Sequence, residues 1–200
     1  TIISAGKEFL TDVFFDGTGG GWTLLDAFYV TRALRHSDGG VYTNGQDVRV
    51  GYLFLSEGSP DRILHFGSSN IYIGIATFNP AYLYFQMGAG SFDFDSGTST
   101  IYMKPGSYLN NTFFYGGNQT YYNLVCEVVT NVEFNNNFHS ATFQKGASIS
   151  GSNVFESLTF SPGSTYELAP TSTQTITPLG NFIAEGTGGF PIEIKSSSLG

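Results

Sequence analysis

The sequence predicts an all-β chain wound as a parallel β-solenoid, and three observations lead there. Apolar and polar residues alternate with period two through most of its length, the mark of half-buried strands. Clusters of Gly, Asn and Ser cut that alternation into runs of about four to seven residues, which read as strands joined by tight turns. Short patterns also recur along the chain, and a repeated Gly-to-apolar spacing is what stacked coils produce when each buries its inward side chains only against its neighbours. An antiparallel β-sandwich is the alternative, because 200 residues of short strands and frequent turns suit it as well.

Taken in chain order, each element follows from its local pattern. The stretch VTRALRHSD (30–38) is the best helical candidate, but it is short and runs into Gly39-Gly40, so it reads equally well as strand and turn. In QDVRVGYLFL, Val48, Val50, Tyr52 and Phe54 share one face. In PAYLYFQ, Tyr82 and Tyr84 share one face while Leu83 and Phe85 share the other. In SFDFDSG, Phe92 and Phe94 face opposite to Asp93 and Asp95. Pro162-Gly163 then supplies a turn. Beyond it Thr173, Thr175 and Thr177 alternate with Gln174 and Ile176, β-branched residues suited to a strand, and Glu193 and Lys195 alternate with Ile192 and Ile194.

The recurrences are specific. GSSNIYI (67–73) matches GTSTIYM (97–103) at an offset of 30. A second pattern, Gly followed by apolar residues four, seven and nine positions on, appears as Gly6-Leu10-Val13-Phe15, Gly117-Tyr121-Leu124-Cys126 and Gly151-Phe155-Leu158-Phe160. This places the single cysteine, Cys126, in a column with Phe15 and Phe160, so it is expected to point inward as a small hydrophobe. A reactive thiol needs a cation or base beside it, and the adjoining Glu127 offers a carboxylate, which disfavours the thiolate.

Composition narrows the function classes. Charged residues are only 12% against the roughly 25% typical of globular chains, whereas the sequence holds 26 Gly, 19 Phe and 12 Tyr. A net charge of −8 with eight Lys and Arg supplies no basic stripe, so nucleic acid is not an expected partner. No apolar run reaches the ~18 residues of a membrane span, so membrane insertion is not expected. The start TIISAGKEF carries no initiator Met or leader pattern. Residues 1–200 are expected to form one solenoid segment, internal to a longer repeat protein, with neighbouring repeats as its first partners.

FFDGTGGGWTLLDAFYV, GGVYTNGQDVRVGYLFL, RILHFGSSNIYI, FDFDSGTSTIYM, FFYGGNQTYYNLVCE and the closing LTFSPGSTYEL…TQTIT…FPIEIKSSS together resemble the repeat units of very large bacterial surface and secreted proteins, units also seen in phage-associated sequences. The resemblance implies a right-handed parallel β-helix, extracellular or cell-surface exposure and an adhesive or scaffolding role, with a phage virion fibre as the variant. It carries over no catalytic residue. The charged stretch TRALRHSDGGVYTNG departs from the Thr- and Leu-rich strand usual there.

Candidate site residues are few. Asp93 and Asp95 on one strand face would hold carboxylates about 7 Å apart, a separation usable by a glycosidase pair or a Ca²⁺ ion, with a solvated strand face as the plain alternative. Tyr82 and Tyr84 offer rings on which sugars stack, or else form a ladder in the wall. His36, His65 and His139 are scattered without metal-ligand spacing, and no His or Arg motif adjoins the aspartates in the sequence. DGTGGG (16–21) lacks the Lys-Ser/Thr of a phosphate loop, so no cofactor is expected. Ser69 and Ser99 read as turn residues, and Asn110 and Asn118 begin sequences of the glycosylation-acceptor type. The expectation is a non-enzymatic structural or adhesive segment. The alternative is a carbohydrate-binding or polysaccharide-degrading β-helix module, with Tyr82, Tyr84, Asp93 and Asp95 as its site.

Overall fold

Strands and turns, with no helix, make up the described residues of the computed structural model, which are 1–76, 80–88, 92–106 and 111–197. The first ten strands are β1 (Glu8–Phe9), β2 (Val13–Thr23), β3 (Phe28–Val30), β4 (Ala33–Tyr42), β5 (Val48–Val50), β6 (Leu53–Ser56), β7 (Ile63–His65), β8 (Asn70–Ile73), β9 (Leu83–Met87) and β10 (Asp93–Asp95). The second ten are β11 (Thr100–Met103), β12 (Thr112–Tyr115), β13 (Thr120–Cys126), β14 (Thr130–Glu133), β15 (Asn137–Phe143), β16 (Ala147–Ile149), β17 (Val154–Phe160), β18 (Thr165–Leu168), β19 (Thr175–Ala184) and β20 (Glu193–Ser196). Every pairing between these strands is parallel, the one antiparallel bridge among the described residues being the isolated Thr187–Phe190 contact, and the chain is an all-β parallel β-solenoid of about eight turns. The sandwich alternative fails on that point, since its hairpins demand antiparallel neighbours.

One sheet runs β1-β3-β5-β8-β11-β13-β15-β17-β19, and the other holds β4-β6-β9-β12-β14-β16-β18-β20. The second sheet forks at β4. Ala33–His36 pair with β6, while Gly40–Tyr42 pair with β7, which in turn pairs β10. Early coils therefore have a third side, whose line of strands ends at β10. Beyond it β13 starts three residues earlier than the register of β11 requires, and Tyr121 packs its ring 5.4 Å from that of Phe94, closing the core where the third side stops.

Inward side chains stack in columns. Val30, Val50, Ile73, Met103, Cys126, Phe143 and Phe160 form one, and Phe54, Phe85 and Phe114 form another, their rings stacked at 5.2 and 4.9 Å. Such columns follow from period-two strands laid in register, each ring meeting its counterpart about 4.8 Å away along the axis.

Cys126 is fully buried, and burial pushes its thiol up to about 12. The inward assignment holds, and Phe160 shares its column through Phe143. Phe15 does not, because it lies on β2 and pairs with His36 on the other sheet. The Gly6 copy also puts Leu10 outward, so it is not a true repeat of the other two. The offset of 30 is confirmed by the pairing of Ile71 with Ile101 and of Ile73 with Met103. The Gly117 and Gly151 copies, 34 residues apart, are separated by two coils of 17: Tyr121, Phe138 and Phe155 stand one above another.

In VTRALRHSD, Val30 ends β3 and residues 33–38 open β4, so the strand reading holds over the helical one. One further expectation is corrected: Val48, Val50 and Phe54 all point into the core, but QDVRVGYLFL is not one strand, since β5 and β6 belong to different sheets. The chain turns from one sheet to the other at Gly51, where a Cβ would lie 1.9 Å from the Thr31 carbonyl oxygen, and Tyr52 falls at the corner. The charged stretch packs without loss: Arg32 and Arg35 reach outward to Asp12, and His36 points in. His36 Nε2 donates to the Gly39 carbonyl (3.0 Å), Nδ1 accepts from the Ser56 hydroxyl (3.1 Å), and Ser56 accepts from Arg62 Nε (3.3 Å). Burial holds this imidazole below its ordinary range.

Candidate functional site

The outward side of β9, β12 and β14 carries an aromatic patch. On β9, Leu83, Phe85 and Met87 face the core, so Tyr84 and Gln86 face out, with Tyr82 just before the strand and 48% exposed. In-register pairing sets Phe113 beside Tyr84 and Tyr115 beside Gln86, and then Asn131 and Glu133 beside those two. The Tyr84 and Phe113 rings stack at 5.0 Å and 13°, Tyr82 lies 5.8 Å from Tyr84, and Tyr115 lies 5.4 Å from Phe113. Phe134, 38% exposed, meets Tyr115 edge-on at 6.2 Å. Partial burial raises the phenols of Tyr84 and Tyr115 above their ordinary range, Tyr115 also through the neighbouring Glu133 carboxylate. A hollow of about 240 Å³ lined by Tyr52, Leu53, Pro80, Ala81, Tyr82 and Tyr84 adjoins the patch.

Phe134 sits at φ +74°, in the left-handed region that a bulky side chain adopts only under constraint. The equivalent places one coil before and one coil after are Gly117 (φ +63°) and Gly151 (φ +75°). At Gly151 a Cβ would lie 2.1 Å from the Phe134 carbonyl oxygen, so the coil above must be glycine for this turn to close. An aromatic ring thus occupies a glycine position, at a backbone cost, on the rim of the aromatic patch.

The other sheet has an outward aromatic column of a different kind. Tyr29, Arg49, Tyr72 and Tyr102 succeed one another, with the Arg49 guanidinium 5.0 Å from both the Tyr29 and Tyr72 rings, and the Lys104 ammonium 5.2 Å from the Tyr102 ring. Arg49 pairs with Asp47, and Lys104 with Glu127. These rings are covered by the protein's own cations. Among the described residues no cation lies over Tyr82, Tyr84, Phe113, Tyr115 or Phe134.

Asp93 and Asp95 lie together on the exposed face of β10, with Phe92 and Phe94 turned inward against the core. Asp93 Oδ1 contacts His65 Nε2 at 3.0 Å, and His65 meets Tyr42 edge-on at 5.3 Å. Asp95 Oδ1 accepts the Gly97 N–H at 2.8 Å, fixing the turn into β11. One carboxylate is hydrogen-bonded to an imidazole and the other shapes a turn. His65 is the neighbour that the linear sequence did not offer, although the same offset of 30 places it over Asp95. The tyrosines are not gathered with the aspartates: β9 pairs with β6 and β12, whereas β10 pairs with β7 on the third side. No three or more His, Cys, Asp or Glu side chains among the described residues are grouped to hold a metal ion.

The remaining candidates are accounted for locally. His139 stacks on Tyr122 at 4.3 Å and contacts Glu156 at 2.7 Å. Ser69 and Ser99 are buried turn hydroxyls. Asn118 holds a left-handed turn position and accepts the Asn135 N–H, and Asn110 lies outside the described residues. Phe113, Tyr115 and Phe134 were missed because only lateral pairing brings them to Tyr84. The signal available was FFY (113–115) repeating the alternation of YLYFQ. Compared with known proteins, the chain matches no family model, no curated protein and no solved structure.

Proposed function

We propose that this chain is a non-enzymatic, adhesive repeat segment of a secreted or cell-surface protein. Its stacked coils set the reach, and its outward aromatic patch meets carbohydrate on an opposing surface. One observation carries this reading: Tyr82, Tyr84, Phe113, Tyr115 and Phe134 are gathered on one face over three successive coils, with no cation of the described residues over them. The C–H face of a sugar ring stacks on such rings, and the phenol hydroxyls and the Gln86 and Asn131 amides beside them supply hydrogen bonds to its rim. The likeness of the repeats to those of large bacterial surface proteins supports the same reading, as does a parallel stack of about eight turns able to join further coils at either edge.

A glycan-array screen tests it, comparing the wild-type chain, Tyr82→Ala/Tyr84→Ala and Asp93→Asn/Asp95→Asn, with circular dichroism to establish folding. Binding that disappears in the tyrosine variant and persists in the aspartate variant is expected. Loss only in the aspartate variant would move the site to β10 and reopen hydrolysis. Silence from folded wild-type protein would leave a stalk without carbohydrate recognition.

A further inference from the structure

The aromatic patch has an acidic border. Glu133 lies beside Tyr115 in the register of β12 and β14, and Phe134 follows it directly in the chain. On the other flank Gln86, beside Tyr115 in β9, donates to Glu57 Oε2 at 3.3 Å. Neither Glu133 nor Glu57 forms a direct ion pair among the described residues, but the Arg62 guanidinium acts on Glu57 through space, which leaves Glu133 as the carboxylate the patch can offer a ligand.

The basic side chains of this face are engaged or distant. Arg35, in the column of Tyr115, is three coils away with Leu55 and Gln86 between, roughly 14 Å at the usual strand spacing, and it pairs with Asp12. Lys195, in the column of Phe113, lies four coils away and pairs with Glu167 at 3.1 Å. Lys145 precedes β16, at the opposite end of the strands from Glu133. On the first sheet, by contrast, similar tyrosines have Arg49 and Lys104 set over them with Asp47 and Glu127 close by. The β9–β12–β14 patch has the rings and, in Glu133, a carboxylate of that arrangement, and among the described residues no cation lies over those rings.

We propose that the cation is supplied by the ligand, and that the patch selects saccharides bearing protonated amino groups, with the ammonium held between Glu133 and the Tyr115 ring while the sugar stacks on Tyr84 and Phe113. A ring face and a carboxylate both attract an ammonium, and partial burial strengthens each. The chain's net charge of −8 favours the same ligand at long range and opposes anionic polysaccharides. This proposal rests on the carbohydrate reading above and narrows its ligand class.

The test is titration calorimetry of the whole chain with glucosamine oligomers and with N-acetylated oligomers of equal length, which differ in charge and keep the sugar ring. Wild-type protein is expected to bind the amino form about tenfold more tightly. Glu133→Gln should bring the two affinities together, whereas Glu156→Gln, removing the same charge from the other sheet, should leave the preference intact. Tyr84→Ala should weaken both. Equal binding of the two oligomers by wild type, lost in Tyr84→Ala, would overturn the amino-group selection and leave the carbohydrate reading standing. A preference for the amino form that survives in Glu133→Gln would mean diffuse attraction by net charge and would also overturn it. Binding of neither oligomer by folded protein would remove the proposal, and a silent glycan array beside it would remove carbohydrate recognition as well.

Discussion

Replacing Cys126 by Asp puts a carboxylate into the centre of a column whose neighbours are Met103 and Phe143, both buried. The structure gives the scale of the penalty. The thiol at this place is pushed from 9.0 to about 12, with desolvation as the leading cause and a hydrogen bond from Thr130 acting weakly in the opposite direction. At about 1.36 kcal/mol per pKa unit, holding a charge there costs on the order of 4 kcal/mol. That is a large share of the roughly 5–15 kcal/mol that holds a domain together. Burial raises the pKa of an introduced Asp above its unfolded value near 3.9. Between those two pKa values the folded state binds more protons than the unfolded one, so stability falls as pH rises through that window and recovers as pH drops below about 4. Urea unfolding at pH 7 and at pH 3.5 should therefore be run on Cys126→Asp beside Cys126→Asn, its neutral isostere. The expected gap between the two is about 4 kcal/mol at neutral pH and close to zero in acid. Cys126→Val, which keeps the column apolar, should cost less than about 1.5 kcal/mol. A gap below about 1 kcal/mol at pH 7 would place residue 126 within reach of water and refute the inward column.

Three other outcomes are expected. Asn153 accepts from both the backbone and the side-chain nitrogen of Asn136 and donates to Ser150, Gly151 and Gln174, so Asn153→Ala should lose about 3 kcal/mol or more in urea unfolding by orphaning several buried groups. A cost within experimental scatter would mean that this ladder is idle. Gly151→Ala adds a Cβ 2.1 Å from the Phe134 carbonyl to a left-handed residue, and its melting temperature should fall by well over the ~1–2 kcal/mol equivalent of the backbone term alone. Phe134→Gly should leave stability within about 1 kcal/mol, because relief of the left-handed backbone offsets the lost edge-on contact with Tyr115 and the added freedom of the unfolded chain. The same variant should weaken ligand binding in calorimetry, and a clear loss of stability without loss of binding would show the ring to be a packing residue.

Alternation is fully legible in the order of the residues. Leu83 and Phe85 inward against Tyr82 and Tyr84 outward, Phe94 inward against Asp93 and Asp95 outward, and Cys126 in the core all follow from a side-chain period of two, which each strand's own residues carry. The offset of 30 between 67–73 and 97–103 is legible for the same reason, since its turn and strand residues repeat together.

The 17-residue coil between Gly117 and Gly151 is not legible, because its two diagnostic positions hold Phe134 where its neighbours hold glycine and Ala141 where they hold leucine. The sheet change at Gly51 is hidden because the apolar alternation runs straight through it, and only the close approach of the Thr31 carbonyl marks the corner.

By itself, then, the sequence determined that strands form, which of their faces are apolar, and that they stack in parallel coils. Which side chains become neighbours was decided only by the tertiary structure. Tyr84 beside Phe113, Tyr115 beside Glu133, and His65 between Tyr42 and Asp93 are contacts between coils. The physical reason is the variable length of the turns. Successive partners are 20 residues apart at Phe28 and Val48, 30 at Asn70 and Thr100, and 17 at Thr120 and Asn137. Strand residues specify a face locally, but lateral register depends on the sum of every turn in a coil, and that sum closes only when the coil packs on the one beneath it.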